Sequence, residues 1–300
     1  MKILLAYDGS GESNRAIECL NRLPIPLKSK VTMLHAVQPI LSETSLMPEH
    51  DYSELMASND KIHAHAKDLL AKAKDQYCSK DFDVEFVVED GTASETILTV
   101  AEKQNPDLII VGSRGLNPIE SYFLGSVSHK VLQYAMNPVL VNRGFHPSRS
   151  DEKHLNILVG FDDSSISNKL CDYLLDLPLE KVAKISFVSV LEPPPELRIL
   201  DDVGFYFNEM KNSEKETDSK LQEICKSFKS RYPHLMVNYE IKPINKSIAN
   251  TLTEYANDGL YDLIALGNKG KNSFEKFLLG NVSQKIAEYS PLSVLVFKDR

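Results

Sequence analysis

The sequence predicts an α/β protein made of two tandem copies of one domain, each a five-stranded parallel sheet flanked by helices. Internal repetition is the first sign, and it should be sought before any other pattern. KILLAYDGS at residues 2–10 aligns with NILVGFDDS at 156–164, and PDLIIVG at 106–112 with YDLIALG at 261–267. FLGSVS at 123–128 aligns with LLGNVS at 278–283, and VLV at 139–141 with VLV at 294–296. The offset is 154 from Asp8 to Asp162 and 155 from Gly112 to Gly267, so a whole unit is duplicated. The second sign is that short continuous apolar runs alternate with segments of helical period. Such runs are strands buried on both faces, which is the habit of parallel sheets. The third is the polar, non-periodic stretch GFHPSRSDEKH at 144–154, which reads as a linker between domains 1–143 and 155–300.

Each element follows from local pattern. Residues 2–7 are a strand, and 12–23 a helix that Ser10 or Ser13 can cap and that Pro24 and Pro26 stop. Residues 31–37 are the second strand, followed by a loop at 39–52. A long amphipathic helix from about 53 to 77 places Leu55, Ile62, Ala66, Leu69, Leu70 and Ala73 on one stripe. A weakly alternating strand at 84–88, a helix at 93–103, a strand at 108–111 and a helix entered at 125–126 lead to the closing strand at 139–141. The second copy repeats the order, with strands near 156–161, 184–190, 235–241, 262–266 and 293–297. Crossovers between parallel strands are expected to be right-handed. A long loop at 192–207 contains three consecutive prolines and is a candidate cap for a site.

Composition narrows the function. The 300 residues are 42% hydrophobic and 25% charged, as in soluble globular proteins. The net charge of −8, with no block of Lys or Arg, argues against a nucleic-acid or anionic-membrane surface. The apolar start of the chain is too short for a signal peptide, and no run approaches a membrane span. Four dispersed cysteines (Cys19, Cys78, Cys171, Cys225) read as reduced thiols, so a cytoplasmic location is expected.

The chemistry-bearing stretch is GSRGLNPIESYFLGSVS at 112–128, repeated as GNKGKNSFEKFLLGNVS at 267–283. It is a strand, a glycine-rich loop and a helix N-terminus in succession. Glycine admits close approach to backbone, and a helix N-terminus offers unpaired N–H groups and a positive dipole end, so the arrangement suits phosphate. In open α/β sheets ligands bind beyond the carboxyl ends of the strands, where strand order reverses. There Asp8, Gly9 and Ser10 follow the first strand and Val37 ends the second. Asp8 can accept from ribose hydroxyls or help hold a Mg²⁺ on the phosphates, and backbone near Val37 can face an adenine edge. Gly112, Gly115, Gly125, Ser126, Val127 and Ser128 would take phosphates through N–H and hydroxyl groups, with Arg114 and His129 adding positive charge. Read by itself, Asp8 equally anchors an Asx-turn, and Ser126 equally serves as an N-cap. His63 and His65, two apart on a helix, make a poor metal pair. No nucleophile with an evident base partner stands out, so no catalytic residue is assigned.

On Gly112, Gly115, Gly125 and Ser126 with Asp8, the chain resembles a tandem universal stress protein, two Usp domains fused, over nearly all its length. The resemblance implies a flavodoxin-like, adenine-nucleotide α-hydrolase-like fold. It also implies that Gly-x2-Gly-x9-Gly-Ser/Thr binds ATP phosphates while the aspartate ending the first strand contacts the nucleoside. The second copy keeps Asp162, Gly267, Gly270, Gly280 and Ser283, but Asn281 stands where Ser or Thr is expected. Asp163 replaces Gly9 and would set a carboxylate near the phosphates, unfavourably unless a metal or Lys269 and Lys271 offset it. The first copy is therefore expected to hold ATP (or ADP or AMP, with Mg²⁺), and the second to bind poorly or to have diverged to a structural role. The resemblance further implies a pseudo-dimer of the two domains paired through their last strands, and a possible homodimer. A stress-response nucleotide module is the leading reading. The alternatives are a slow ATPase, for which only Asp8 and His129 are candidate groups, and a nucleotide-free interaction protein.

Overall fold

The computed structural model describes residues 1–38, 49–115, 124–144, 154–191, 203–270 and 279–299, with the side chains of 49–57 and 203–210 outside the description. The chain divides into two compact units, one holding nearly all of residues 1–143 and the other 144–299.

The first unit runs β1 (Lys2–Ala6), α1 (Gly11–Arg22), β2 (Lys30–Val37), α2 (Glu49–Tyr77), β3 (Asp83–Asp90), α3 (Ala93–Gln104), β4 (Leu108–Gly112), α4 (Ser126–Tyr134) and β5 (Val139–Asn142). Its strands lie in the order β3-β2-β1-β4-β5, all parallel, with Leu5 paired to Met33 on one side and Ile110 on the other. The order reverses between β1 and β4, which is where an open sheet of this kind gapes. Helix α1 starts where Ser10 accepts the Ser13 N–H at 3.2 Å. It buries Ala16, Ile17 and Leu20 against the sheet. Leu4, Leu5, Ile109 and Ile110 are fully buried, each contributing about 1.5–3 kcal/mol through apolar burial. Helix α2 begins at Glu49, earlier than the apolar pattern predicts.

The second unit repeats the plan with β6 (Leu155–Gly160), α5 (Ser165–Leu175), a 3₁₀ turn at Leu179–Lys181, β7 (Val182–Leu191), α6 (Val203–Arg231), β8 (Met236–Pro243), α7 (Ile248–Asp258), β9 (Leu263–Gly267), α8 (Asn281–Tyr289) and β10 (Ser293–Phe297). Its parallel order is β8-β7-β6-β9-β10, with Val159 between Phe187 and Ala265. Ser164 caps α5 by accepting the Ser167 N–H at 3.2 Å, as Ser10 does for α1. Among the described residues no helix is long and apolar enough to cross a membrane. Most of the 192–207 loop, the proposed cap, lies outside the described residues.

Candidate functional site

The backbone leaves β1 at Ala6 and turns toward α1 through Asp8, Gly9 and Ser10. Gly9 adopts φ +81°, which glycine enters without steric cost, and a Cβ there would stand 3.2 Å from Leu69 of α2. Asp8 Oδ1 accepts the Ser10 N–H at 3.0 Å, so the Asx-turn forms. That bond uses one oxygen. The other, Oδ2, lies 2.8 Å from where a Cβ at Gly115 would be. The carboxylate that ends the first strand and the glycine that follows the fourth are thus in contact across the switch point, and a side chain at 115 would displace the Asp8 carboxylate.

Farther along, Ser113 N–H bonds to the Asn142 carbonyl at 2.9 Å and Gly125 N–H to the Ser113 carbonyl at 2.7 Å. These bonds tie the residue after β4 to the end of β5 and to the start of α4. Gly125, not Ser126, is the N-cap of α4, and Ser126 is its first helical residue. A glycine cap brings no side-chain oxygen to the first-turn N–H groups of Ser126, Val127 and Ser128, so they are open to an anion. Ser128 does not offer its hydroxyl as expected: it is buried and donates to the Gly112 carbonyl at 2.5 Å. Its hydrogen is committed to holding α4 against β4. The Val37 carbonyl accepts from Gly91 N–H at 2.9 Å, which fixes the end of β2. His129 is the first α4 residue with an intrahelical bond, to the Gly125 carbonyl at 2.9 Å. Arg114 is close enough to Arg143, just past β5, that burial and then this neighbour push the Arg143 guanidinium down to about 10, opposed by Glu12. The stretch 116–123 lies outside the described residues.

The second unit reproduces the Asx-turn, the carboxylate–glycine contact, the glycine cap and the serine bond to β9. Asp162 Oδ1 accepts Ser164 N–H at 3.1 Å, and Oδ2 lies 2.8 Å from a Cβ built at Gly270. Gly280 is the N-cap of α8 and Asn281 its first residue, so Asn281 does not cap by its side chain. Ser283 donates its hydroxyl to the Gly267 carbonyl at 2.6 Å. A cavity of about 480 Å³ opens there, lined by Asp162, Gly267, Gly270, Gly280, Asn281 and Ser283, the six residues that the repeat assigns to the second site. Its inner wall is apolar, from Val188 and Val190 of β7, Ile248 and Leu252 of α7, and Leu266 of β9. Sequence reasoning missed that wall. The spacing of Ile248 and Leu252, one helical turn apart, was the available signal. The volume is within the range of small-molecule sites. A further groove of about 620 Å³, between α6 and β8, touches Lys226, Lys229 and Tyr239 and lies away from the strand ends that the motif occupies.

Asp163 corrects a second expectation. It adopts φ +59° in place of Gly9, a conformation Asp tolerates better than most residues. Its carboxylate is offset by Lys220 of α6, which the sequence did not single out and whose Nζ lies 2.6 Å from both oxygens; Lys271 lies outside the described residues. Asp163 does not line the cavity. The electrostatic objection to an anion in the second unit is therefore removed.

Elsewhere, His63 bonds Asp90 at 2.8 Å while His65 is exposed. Among the described residues no group of three His, Cys, Asp or Glu is placed to hold a metal ion. The four cysteines are free thiols.

Comparison with known proteins agrees with the duplication. The profile described as "Universal stress protein family" matches residues 1–143 and again 154–298. A universal stress protein of Mycolicibacterium smegmatis is 23% identical over 302 residues, covering 99% of this chain and 97% of that protein. One from Bacillus subtilis is 31% identical over 148 residues, 47% of this chain and 98% of its own. Among solved structures, a universal stress protein from Archaeoglobus fulgidus superposes with a TM-score of 0.65 at 18% identity, covering 99% of this chain and 98% of that one. With its two matched halves and its twice-built parallel sheet, the chain belongs to the universal stress protein family.

Proposed function

We propose that this protein binds an adenine nucleotide, ATP or its products ADP and AMP, and serves in stress response as a nucleotide-dependent regulatory or protective module. The observation that carries the reading is the carboxylate–glycine contact across the switch point, Asp8 with Gly115 and Asp162 with Gly270. It sets an acceptor for ribose hydroxyls beside a turn of bare backbone that runs into an open helix N-terminus. In the N-terminal half Asp8, Gly9, Ser10 and Val37 surround the nucleoside. Gly112, Arg114, Gly115, Gly125 and the N–H groups of Ser126, Val127 and Ser128 hold the phosphates, with Mg²⁺ carried on the phosphates themselves. This half keeps the full Gly-x2-Gly-x9-Gly-Ser pattern and is the principal site. The cavity at Asp162, Gly270 and Gly280 is the second.

The chain has no Trp, so adenine nucleotide that co-purifies stands out against tyrosine absorbance. Gly115→Val places a branched side chain against Asp8 Oδ2. A steric conflict of about 1–3 kcal/mol weakens binding by about fivefold to about a hundredfold. Isothermal titration of the full chain with ATP reads this directly. The expected result is loss of the tighter site in Gly115→Val with Gly270→Val retaining it. The opposite pattern reverses the assignment of halves, and full affinity in both variants refutes the site.

A further inference from the structure

The C-terminal cradle contains a part that the N-terminal one lacks. At the turn where Gly9 stands in the first half, Asp163 holds φ +59°, a region that disfavours a side chain. Its carboxylate takes two 2.6 Å bonds from Lys220 Nζ and one of 3.2 Å from Asn168 Nδ2. The Asp163 side chain is only 15% exposed, whereas Lys220 is half exposed on α6. The residue immediately before it is Asp162, whose oxygens take the Ser164 N–H and reach Gly270. A replacement of Gly by Asp next to a phosphate cradle adds a negative charge beside an anion. Here the charge is turned out of the cavity and cancelled by a lysine 57 residues away in the chain.

We propose that the Asp163–Lys220 pair positions the Asp162 turn and keeps the C-terminal cradle receptive to phosphate. Asp163 and Lys220 are positioning residues and do not touch the ligand. The ligand arm of the test rests on the nucleotide reading above; the turn arm does not. In Lys220→Met the Asp163 carboxylate loses the lysine and keeps the Asn168 bond, the turn loses an anchor, and a charge no longer balanced by Lys220 sits one residue from Asp162. An uncompensated charge near a surface site costs about a factor of ten in anion affinity, and the cost grows with the number of phosphates. Adding Asp163→Gly removes both the charge and the strained side chain and restores the chemistry of Gly9.

Amide NMR of the full chain separates the outcomes. Without ligand, the Ser164 N–H of Lys220→Met should exchange about tenfold faster than in the unaltered protein, and the Asp163→Gly/Lys220→Met chain should return toward the original rate. With ATP, AMP and adenosine, the Gly270 amide reports the C-terminal cradle and the Gly115 amide serves as internal reference. Lys220→Met should weaken ATP at Gly270 about tenfold and adenosine little, with recovery in the double variant. Unchanged Ser164 exchange in Lys220→Met, or a double variant no better than the single one, overturns the proposal. A Gly270 amide that responds to no nucleotide in the unaltered chain refutes the second nucleotide site while the exchange comparison still decides the role of the pair.

Discussion

The hydroxyl of Ser128 illustrates how a single bond decides between two roles. A serine one turn into a helix that faces a phosphate loop would ordinarily be assigned to the phosphate. Buried and donating to the Gly112 carbonyl, it instead fastens the helix that presents the N–H groups. Ser283 does the same for Gly267. Removing such a donor leaves a buried carbonyl under-satisfied and costs about 1 kcal/mol. Ser128→Ala should therefore lower the free energy of unfolding by about that amount in a urea titration, with ATP affinity changed less than about threefold. A large loss of affinity with stability intact would return the hydroxyl to the phosphate. Asp8 works on the same principle of divided labour: one oxygen makes the Asx-turn and the other faces Gly115.

At the scale of elements, the two copies of the sheet solve one packing problem with different pairs. Ala6 and Val111 in β1 and β4 correspond through the repeat to Gly160 and Leu266 in β6 and β9. A Cβ on Gly160 would fall 2.4 Å from Leu266 Cδ2 and 3.2 Å from Leu252 Cδ1. The larger leucine has taken the space of the missing methyl. Gly160→Ala alone should overpack this wall and cost about 1–3 kcal/mol. Gly160→Ala with Leu266→Val reproduces the N-terminal pair and should recover most of the loss, measured as a double-mutant cycle by chemical unfolding. Additive penalties would show that the two positions do not share one space. Strands of this sort were legible in the sequence because a strand buried on both faces must be written as a continuous apolar run, as at residues 108–111. The glycine caps of α4 and α8 were not legible, since a cap without a side chain leaves no residue signature and the neighbouring Ser126 invites the wrong assignment. Lys220 was still less legible: no local pattern ties a lysine in the middle of a 29-residue helix to a turn 57 residues earlier.

For the molecule as a whole, duplication supplies two cradles whose fates can be compared within one chain. Both keep the carboxylate–glycine contact, the open helix N-terminus and the stapling serine, and they differ at the Gly9/Asp163 and Ser126/Asn281 positions. Selection for a fold alone would not require the glycine at both 115 and 270, because the constraint there comes from the facing carboxylate rather than from the sheet. A ligand that binds the folded state stabilises it by about 2.7 kcal/mol at a hundredfold excess over its dissociation constant. In a unit of this size that raises the midpoint of unfolding by about 5–10 °C. Hydrogen exchange followed peptide by peptide assigns the gain to a half. With ATP, slowing should concentrate in the peptides that hold β1, β4 and α4 and be weaker in those that hold β6, β9 and α8. Gly115→Val should erase the first effect and leave the second. Equal protection of both sets would mean that Asn281 and the Lys220-bound Asp163 cost the second cradle nothing. No protection in either set would mean that the paired carboxylates and glycines are a legacy of the fold, and the nucleotide reading would fall with them.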